Sequence, residues 1–552
     1  MDRIETTTEA TCAKAVVNTL IGHGIDTIYC LPGVQNDWFF NAVHDAGNAL
    51  RAIHTRHEQG AAYMALGAAL ATGRPAAYSV VPGPGVLNTA AALATAYSTN
   101  APVFCLTGQI HSRMIGRGTG QLHEIPDQLG ILERLTKHAV RALDPGDAAR
   151  LLAVAFQSMV SGRQRPVSLE IPPDILAAKG AFAAHPKLAP LPPPALDAGA
   201  LTAAASLLAK AERPMIVVGG GALDAADWVK ALAERLQAPV LSYRMGRGVL
   251  DDRHPLAITL PLGHRLWRDC DVVLAIGTRT HTTVGNWGAD DKFKVIRVEI
   301  DPDDLETIRE PDVALVGRAA DVLPRLAAEV DLAAPKRPSR SEEMRALKDQ
   351  VARELAAALD PQVRFLAAIR AAMGEDGILV EELTQVGYVA RVAFPVYRPR
   401  TFISSGYQGT LGWGYAVALG VKDARPEAPV VSITGDGGFM FNVQEIATAI
   451  RHGIAAVCVV FNDGAYGNVK RMQQELYGNR VIATDLANPD FVALARSFGA
   501  AGYRAHTPDE LRTTLVEALA RNEPAIIDVP CGEMPGPWPY LQLPRIRGVR
   551  PK

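Results

Sequence analysis

The 552-residue chain reads as an α/β protein made of three consecutive doubly wound parallel-sheet domains. Three observations predict this. Short β-rich runs alternate with Ala- and Leu-rich helical stretches along nearly the whole chain, the pattern of stacked βα units. Two segments interrupt the alternation, the proline-rich "AAHPKLAPLPPPALDAG" and the charged "PKRPSRSEEMRALKDQ", and both have linker composition. The length itself supplies about three or four domains, with material for several buried cores.

Taken in order, "DTIYCLP", "AAYSVVPGPG" and "APVFCLTG" each end a strand-like run before a helix-forming stretch, and they place a first domain over residues 1–185. A second unit, residues 190–335, opens at "RPMIVVGGGALDAADWVKALAERLQAPVLSY" and continues through "DVVLAIGTRT" and "KVIRVEIDPDD". Its "VVGGGALDA" lacks the third glycine of a dinucleotide fingerprint, since Asp224 follows Gly219 and Gly221, so the glycines are read as tight-turn residues. The third unit spans residues 350–535. A tail, residues 536–552, carries enough prolines to forbid regular helix, and its basic end either packs across a subunit or lies in water.

Composition removes several function classes. With 56 basic and 58 acidic side chains the net charge is -2, and neither a basic stripe for nucleic acid nor a disordered charged tail is present. The six cysteines are far apart, without metal-type spacing, and most sit in apolar runs, which suits reduced buried thiols. The acidic, polar start "MDRIETTTEATCAKAVVNTL" has no basic n-region or apolar h-region, and no apolar run reaches membrane-spanning length. The cytoplasm is the expected location.

The chemistry concentrates in "ITGDGGFMFNVQE", residues 433–445, where the apolar run "APVVSIT" hands over to a helix. Backbone N–H groups at a helix start favour phosphate oxygens. An aspartate there repels a phosphate unless a divalent cation lies between them, and Mg²⁺ commonly takes one or two carboxylates plus phosphate oxygens. Asp436 is therefore a metal-ligand candidate, with Gly437 and Gly438 leaving backbone room for a diphosphate. After 24 residues of helix and strand come Asn462 and Asp463 in "NDGAYGNV", so both loops reach the same carboxyl edge of a parallel sheet.

This Gly-Asp-Gly, helix, strand and Asn-Asp arrangement resembles the cofactor motif of the thiamine diphosphate-dependent enzymes that include acetolactate synthase, pyruvate decarboxylase and benzoylformate decarboxylase. That family's order of pyrimidine-binding, middle and diphosphate-binding domains covers essentially the whole chain. The resemblance implies thiamine diphosphate and Mg²⁺ as cofactors, with Asp436, Asp463 and the Ala465 carbonyl as metal ligands; Asp463 stands where two asparagines are commonest. In "TRHEQGAAYMALGAA" it implies that Glu58 hydrogen-bonds N1' of the aminopyrimidine and so promotes loss of the C2 proton. In "SSGYQGTLGWGYAVALG" it implies Leu411 as the wedge under the bent cofactor and the Gly409 carbonyl as the acceptor for N4'. The resemblance also implies far diphosphate contacts from Thr384 and Gln385 in "VEELTQVG", and Tyr466 in "NDGAYGNV" is a further cofactor-binding candidate. Because Glu58 and the metal motif lie in different domains, the family builds its sites across a subunit boundary, so a homodimer or homotetramer is expected.

The shared reaction is decarboxylation of a small 2-oxo acid; what accepts the resulting enamine depends on neighbouring residues. "CLPGVQNDWFF" puts Val34 at the variable place of a loop that is "PGG" in acetolactate synthases and "PGD" in pyruvate decarboxylases. The histidines that pyruvate and benzoylformate decarboxylases use are missing, which disfavours rapid protonation to an aldehyde. "PGPGVLNTAAALATAYSTNAPVFCLTGQ" and Lys137 are closer to the acetolactate synthase type. In "GQLHEIPDQ" either Leu122 and His123 face the site or, with the alignment shifted, Gln121 does. The acceptor-side tryptophan of acetolactate synthases is absent, Lys470, Arg471 and Met472 standing there instead. "MGRGVLDDRHP" and "GTRTHTTVGNWG" match flavin-binding relatives only in part at Arg279, and no FAD is expected. The expected activity is decarboxylation with carboligation to a carbonyl acceptor, and the alternative is a plain 2-oxo acid decarboxylase releasing an aldehyde.

Overall fold

A computed structural model describes residues 10–548. The first sheet contains β2 (Thr27–Cys30), β3 (Arg51–His54), β4 (Ala76–Val80), β5 (Val103–Gly108), β6 (His138–Arg141) and β7 (Val167–Ile171), with a small antiparallel ribbon of β1 (Ala10–Thr11) and β8 (Lys179–Gly180) beside it. The second contains β9 (Met215–Val218), β10 (Val240–Ser242), β11 (Ala257–Ile258), β12 (Val272–Ile276), β13 (Lys294–Glu299) and β14 (Val313–Val316). The third contains β15 (Ile378–Glu381), β16 (Phe402–Ile403), β17 (Val430–Gly435), β18 (Val457–Asn462), β19 (Ala501–Arg504) and β20 (Ala525–Pro530). Helices cover both faces of each sheet, so strands such as "VCVVF" are buried throughout and read as unbroken apolar runs.

All pairings within the three sheets are parallel. The outer two sheets share one topology, β3-β2-β4-β5-β7-β6 and β16-β15-β17-β18-β20-β19, while the middle sheet runs β11-β10-β9-β12-β13-β14. In the third sheet the winding reverses between β15 and β17, and a crevice forms outside the carboxyl ends of strands at such a point. "ELTQ" leaves β15 and "GDGG" leaves β17 at that crevice, with "NDGAYG" leaving the next strand, β18. The register sets Gly435 of β17 beside Phe461 of β18, so Asp436 and Asn462 emerge side by side.

The first and third domains share one apolar core. Its axis is the crossing of the helices Glu58–Thr72 and Gly414–Ala424, both rich in alanine and glycine. A side chain at Gly67 would meet the Val417 carbonyl, and one at Gly420 the Met64 carbonyl, so these backbones approach as closely as glycine permits. This crossing fixes the helix that Glu58 begins.

The five cysteines Cys12, Cys30, Cys105, Cys270 and Cys458 are buried, and all six are free thiols. No helix among the described residues is long and apolar enough to cross a membrane. The tail departs from expectation in one respect. Trp538–Leu541 forms a short helix despite the prolines, because Pro537 caps it and the other proline lies in the first turn, where a missing N–H has no intrahelical acceptor. Beyond it the tail returns to the middle domain of its own chain: Ile546 and Arg547 donate their backbone N–H groups to the Trp287 carbonyl (2.9 and 3.0 Å).

Candidate active site

Asp436 begins a four-residue helix at the end of β17 and is almost wholly buried. Its Oδ2 accepts the Gly464 N–H (2.9 Å) and the Asn488 side-chain amide (2.5 Å), while Oδ1 accepts no hydrogen bond from the described residues. The same Asn488 amide donates to Asn462 Oδ1 at 3.1 Å. Asp463 Oδ2 accepts from Gln385 Nε2 (2.8 Å), and its Oδ1 from the Ala465 N–H (3.3 Å). Burial first, and the adjacent Asp436 charge second, push Asp463 up to about 6. Among the described residues no group of three or more His, Cys, Asp or Glu side chains converges, so a cation here would take two carboxylates and main-chain oxygens, of which Ala465 offers one. Hard oxygen donors of this kind suit Mg²⁺.

The two glycines after Asp436 have a local reason beyond room for a ligand. A Cβ at Gly437 would stand 2.6 Å from the Tyr466 ring, and one at Gly438 would collide with Glu382 Oε1. Glu382 is fully buried beneath this turn. It accepts the backbone N–H of Gly412, that of Gly414 (2.9 Å) and the Thr434 hydroxyl (2.9 Å). One carboxyl group thereby ties the loop carrying Leu411 to the end of β17. Burial pushes Glu382 up to about 7, against the pull of those three donors. Gly409, at φ 58°, holds a left-handed turn that glycine favours, and Leu411 beside it is half-buried.

Thr384 occupies the N-cap position of the helix Gln385–Ala393 at the same edge, and its side chain makes no capping bond. The Gln385 side chain is occupied within the protein: besides Asp463, its Nε2 donates to the Gly532 carbonyl (3.1 Å), and its Oε1 accepts the Met534 N–H (2.7 Å). Arg471 joins the same knot through Glu533 (3.3 Å) and the Met534 carbonyl.

On the first domain, Glu58 is the first residue of its helix, where the dipole favours a carboxylate. It is not an exposed surface glutamate: its side chain is only 14 % exposed. Glu58 Oε2 accepts from Asn88 Nδ2 at 2.9 Å. Val34 and His123 lie on loops at the same carboxyl edge, joined by Gln35, whose Oε1 is 3.1 Å from His123 Nδ1 and whose Nε2 donates to the Leu122 carbonyl (3.0 Å). Val34 and Leu122 are 60 % and 63 % exposed. Gln121 stays within its own loop, its N–H bonded to Glu124 (2.8 Å) and its amide to Thr119 (3.2 Å). Lys137 is a capping residue: its Nζ donates to the Ser158, Ser161 and Arg163 carbonyls near a helix end.

In the middle domain the glycine-rich turn bonds inward. Gly219 N–H donates to the Ile276 carbonyl (3.0 Å) and Gly221 N–H to that of Gly277 (3.2 Å). Arg279 lies 4.8 Å from the Tyr407 ring centre and donates to the Ser98 carbonyl (3.3 Å).

Glu382 and Asn488 carry little signal in the sequence. The only signal for Glu382 is an acidic pair closing the buried run "GILVEE", since charge at the end of such a run has to be paired. Asn488, in "LANPDF", reads as ordinary turn chemistry.

Comparison with known proteins covers all three domains. The N-terminal TPP binding domain of the thiamine pyrophosphate enzymes matches residues 10–131, the central domain residues 201–326 and the C-terminal TPP binding domain residues 383–529. A probable 2-ketoarginine decarboxylase, AruI, of Pseudomonas aeruginosa is 32% identical over 540 residues, covering 94% of each chain. A probable acetolactate synthase large subunit of Methanocaldococcus jannaschii is 33% identical over 547 residues, 94% of this chain and 91% of its own. The acetolactate synthase isozyme 1 large subunit of Escherichia coli K12 is 30% identical over 533 residues, 94% of this chain and 93% of its own.

Proposed function

Because this chain belongs to the thiamine pyrophosphate enzyme family and is an enzyme of that kind acting on 2-oxo acids, we propose that it decarboxylates a small 2-oxo acid with Mg²⁺ as metal and joins the remaining fragment to a carbonyl acceptor. The observation that carries this reading is the pairing of buried Asp436 with half-buried Asp463 at the crevice of the third sheet. Two adjacent carboxylates repel, an effect that adds to burial in raising Asp463, and a divalent cation held between them would relieve it. The donor set therefore fits both groups.

When bound, thiamine diphosphate supplies a nucleophilic carbon and an electron sink for the loss of CO2. The residues of the chain bind, orient and manage protons. Asp436 Oδ1, Asp463 and the Ala465 carbonyl hold the cation. Tyr466, Thr384 and the turn at Gly437 and Gly438 line the diphosphate, while Gln385 steadies Asp463. Leu411 and the Gly409 carbonyl would receive the aminopyrimidine side of the cofactor, and Glu58 would hold the proton at N1'. Val34 and either His123 or Gln121 are the acceptor-side candidates, and the bond of His123 to Gln35 supports His123. We infer a homodimer or homotetramer from the family's placing of Glu58 and the metal motif in different domains, and exposed Val34 and Leu122 beside the first sheet's edge are apolar surface that a second copy would cover.

The likeness to a protein named as a decarboxylase, with His123 held at the edge by Gln35, favours a second reading in which a proton is the acceptor and an aldehyde leaves. A panel of 2-oxo acids, followed by CO2 release and mass analysis of products with one substrate and then two, separates them. A coupled product upholds carboligation, aldehyde alone upholds the second reading, and no CO2 from any 2-oxo acid contradicts both.

A further inference from the structure

Glu445 is a fully buried carboxylate on the third domain, nine residues after Asp436 in sequence, and its hydrogen bonds reach the first domain. Its Oε2 accepts the Arg56 N–H (3.1 Å) and its Oε1 the His57 N–H (3.0 Å), the two amides immediately before Glu58. Thr448 Oγ1 donates to Oε2 at 2.5 Å and holds the carboxylate from behind. Gly60 leaves the space: a Cβ there would lie 2.5 Å from Oε1. Beside this clamp, Gln59 Nε2 donates to the Phe441 carbonyl (3.0 Å) and Asn442 Oδ1 (3.1 Å). The segment that presents Glu58 is thus seated on the residues that follow the Gly-Asp-Gly turn.

A buried carboxylate aimed at two consecutive main-chain amides is costly to leave unmatched, and these two amides lead directly into the helix that Glu58 begins. We propose that Glu445 is a positioning residue for Glu58, fixing from the third domain of its own chain the height and direction at which that carboxylate meets the aminopyrimidine. The inference rests on the reading of Glu58 given above. It makes the seat of the metal turn and the seat of the proton-holding glutamate one rigid unit within a chain.

Glu445→Gln keeps the shape but puts an amide N–H₂ opposite one backbone N–H, so only one amide retains its acceptor. The test measures proton exchange at C2 of bound thiamine diphosphate in wild type, Glu58→Gln, Glu445→Gln and the double variant. Cofactor affinity with Mg²⁺ and backbone amide exchange of residues 55–60 are measured alongside. The expected result is exchange at C2 slowed about 10-fold or more by Glu445→Gln alone, but less than about 2-fold when added to Glu58→Gln, since residues that act as one unit are not additive. Affinity stays within about 2-fold, and amides 56 and 57 lose protection. The same slowing factor in both backgrounds, or none in either, overturns the positioning role. If Glu58→Gln itself leaves exchange unchanged, the reading of Glu58 fails instead. Gly60→Ala, whose methyl displaces Oε1 from the other side, is expected to reproduce the pattern. If Glu445→Gln does not fold, additive slowing in Gly60→Ala overturns the proposal just as well.

Discussion

Asp463→Asn removes one of the two facing carboxylates, and the structure sets the direction and scale of the effect. The folded protein holds Asp463 up to about 6 from 3.8, by burial and then by Asp436. A carboxyl group whose folded value lies above its unfolded one favours the fold while protonated. That contribution is complete below pH 3.8 and is lost as pH rises through 6. The gap between the two values corresponds to about 3 kcal/mol, and solvent screening at a partly accessible group reduces it to about 1–2 kcal/mol. The substituted amide still accepts from Gln385 Nε2 through its carbonyl, so the main neutral contact survives. In chelator at pH 8 the variant is therefore expected to be more stable by about 1–2 kcal/mol, with the gain shrinking toward zero near pH 4. Its Mg²⁺ affinity is expected to fall, one anionic ligand being gone. Denaturant titrations across that pH range, with chelator and with Mg²⁺, measure both. A variant less stable in chelator at pH 8, or one with equal gains at pH 4 and pH 8, would refute the reasoning.

Glu382 follows the same sign rule with a value of about 7, so its stabilisation is complete below pH 4.5 and lost as pH rises through 7. Glu382→Gln is expected to flatten the stability profile between those limits by on the order of 3 kcal/mol, read as a slope from urea titrations; an unchanged slope contradicts the assignment. Asn488→Ala removes the amide that saturates Asp436 Oδ2 and frees that carboxylate to turn. A drop of about tenfold or more in Mn²⁺ or Mg²⁺ affinity is expected, measured by calorimetry or by the paramagnetic signal of bound Mn²⁺; unaltered affinity would show that Asn488 does not orient the ligand.

The fold and the position of the Gly-Asp-Gly turn are legible in the sequence because both rest on local pattern. Alternating apolar runs and helical stretches announce parallel sheets, and an aspartate flanked by glycines at a strand end, followed one βα unit later by Asn462 and Asp463, marks one crevice. What escaped depends on contacts between distant residues. Glu445 touches amides 388 and 389 positions away, and Asn488 bridges Asp436 and Asn462 from a loop with ordinary turn composition. The close packing of Tyr466 on Gly437 and of Glu382 on Gly438 likewise has no trace in spacing, although it gives these glycines a purpose of their own. Gln385 shows the limit from the other side: its place at the sheet edge follows from sequence, but the direction of its amide depends on Gly532 and Met534, which arrive from the last strand. The tail's return to Trp287 is a tertiary choice of the same kind.

The most direct test is calorimetric titration of thiamine diphosphate into the wild-type protein with Mg²⁺, into the same protein in chelator, and into Asp436→Ala with Mg²⁺. The expected result is saturable binding in the first case and a loss of about 100-fold or more in both others, because the cation links the two carboxylates to the diphosphate. Equal affinity in all three would contradict a cofactor anchored through Asp436.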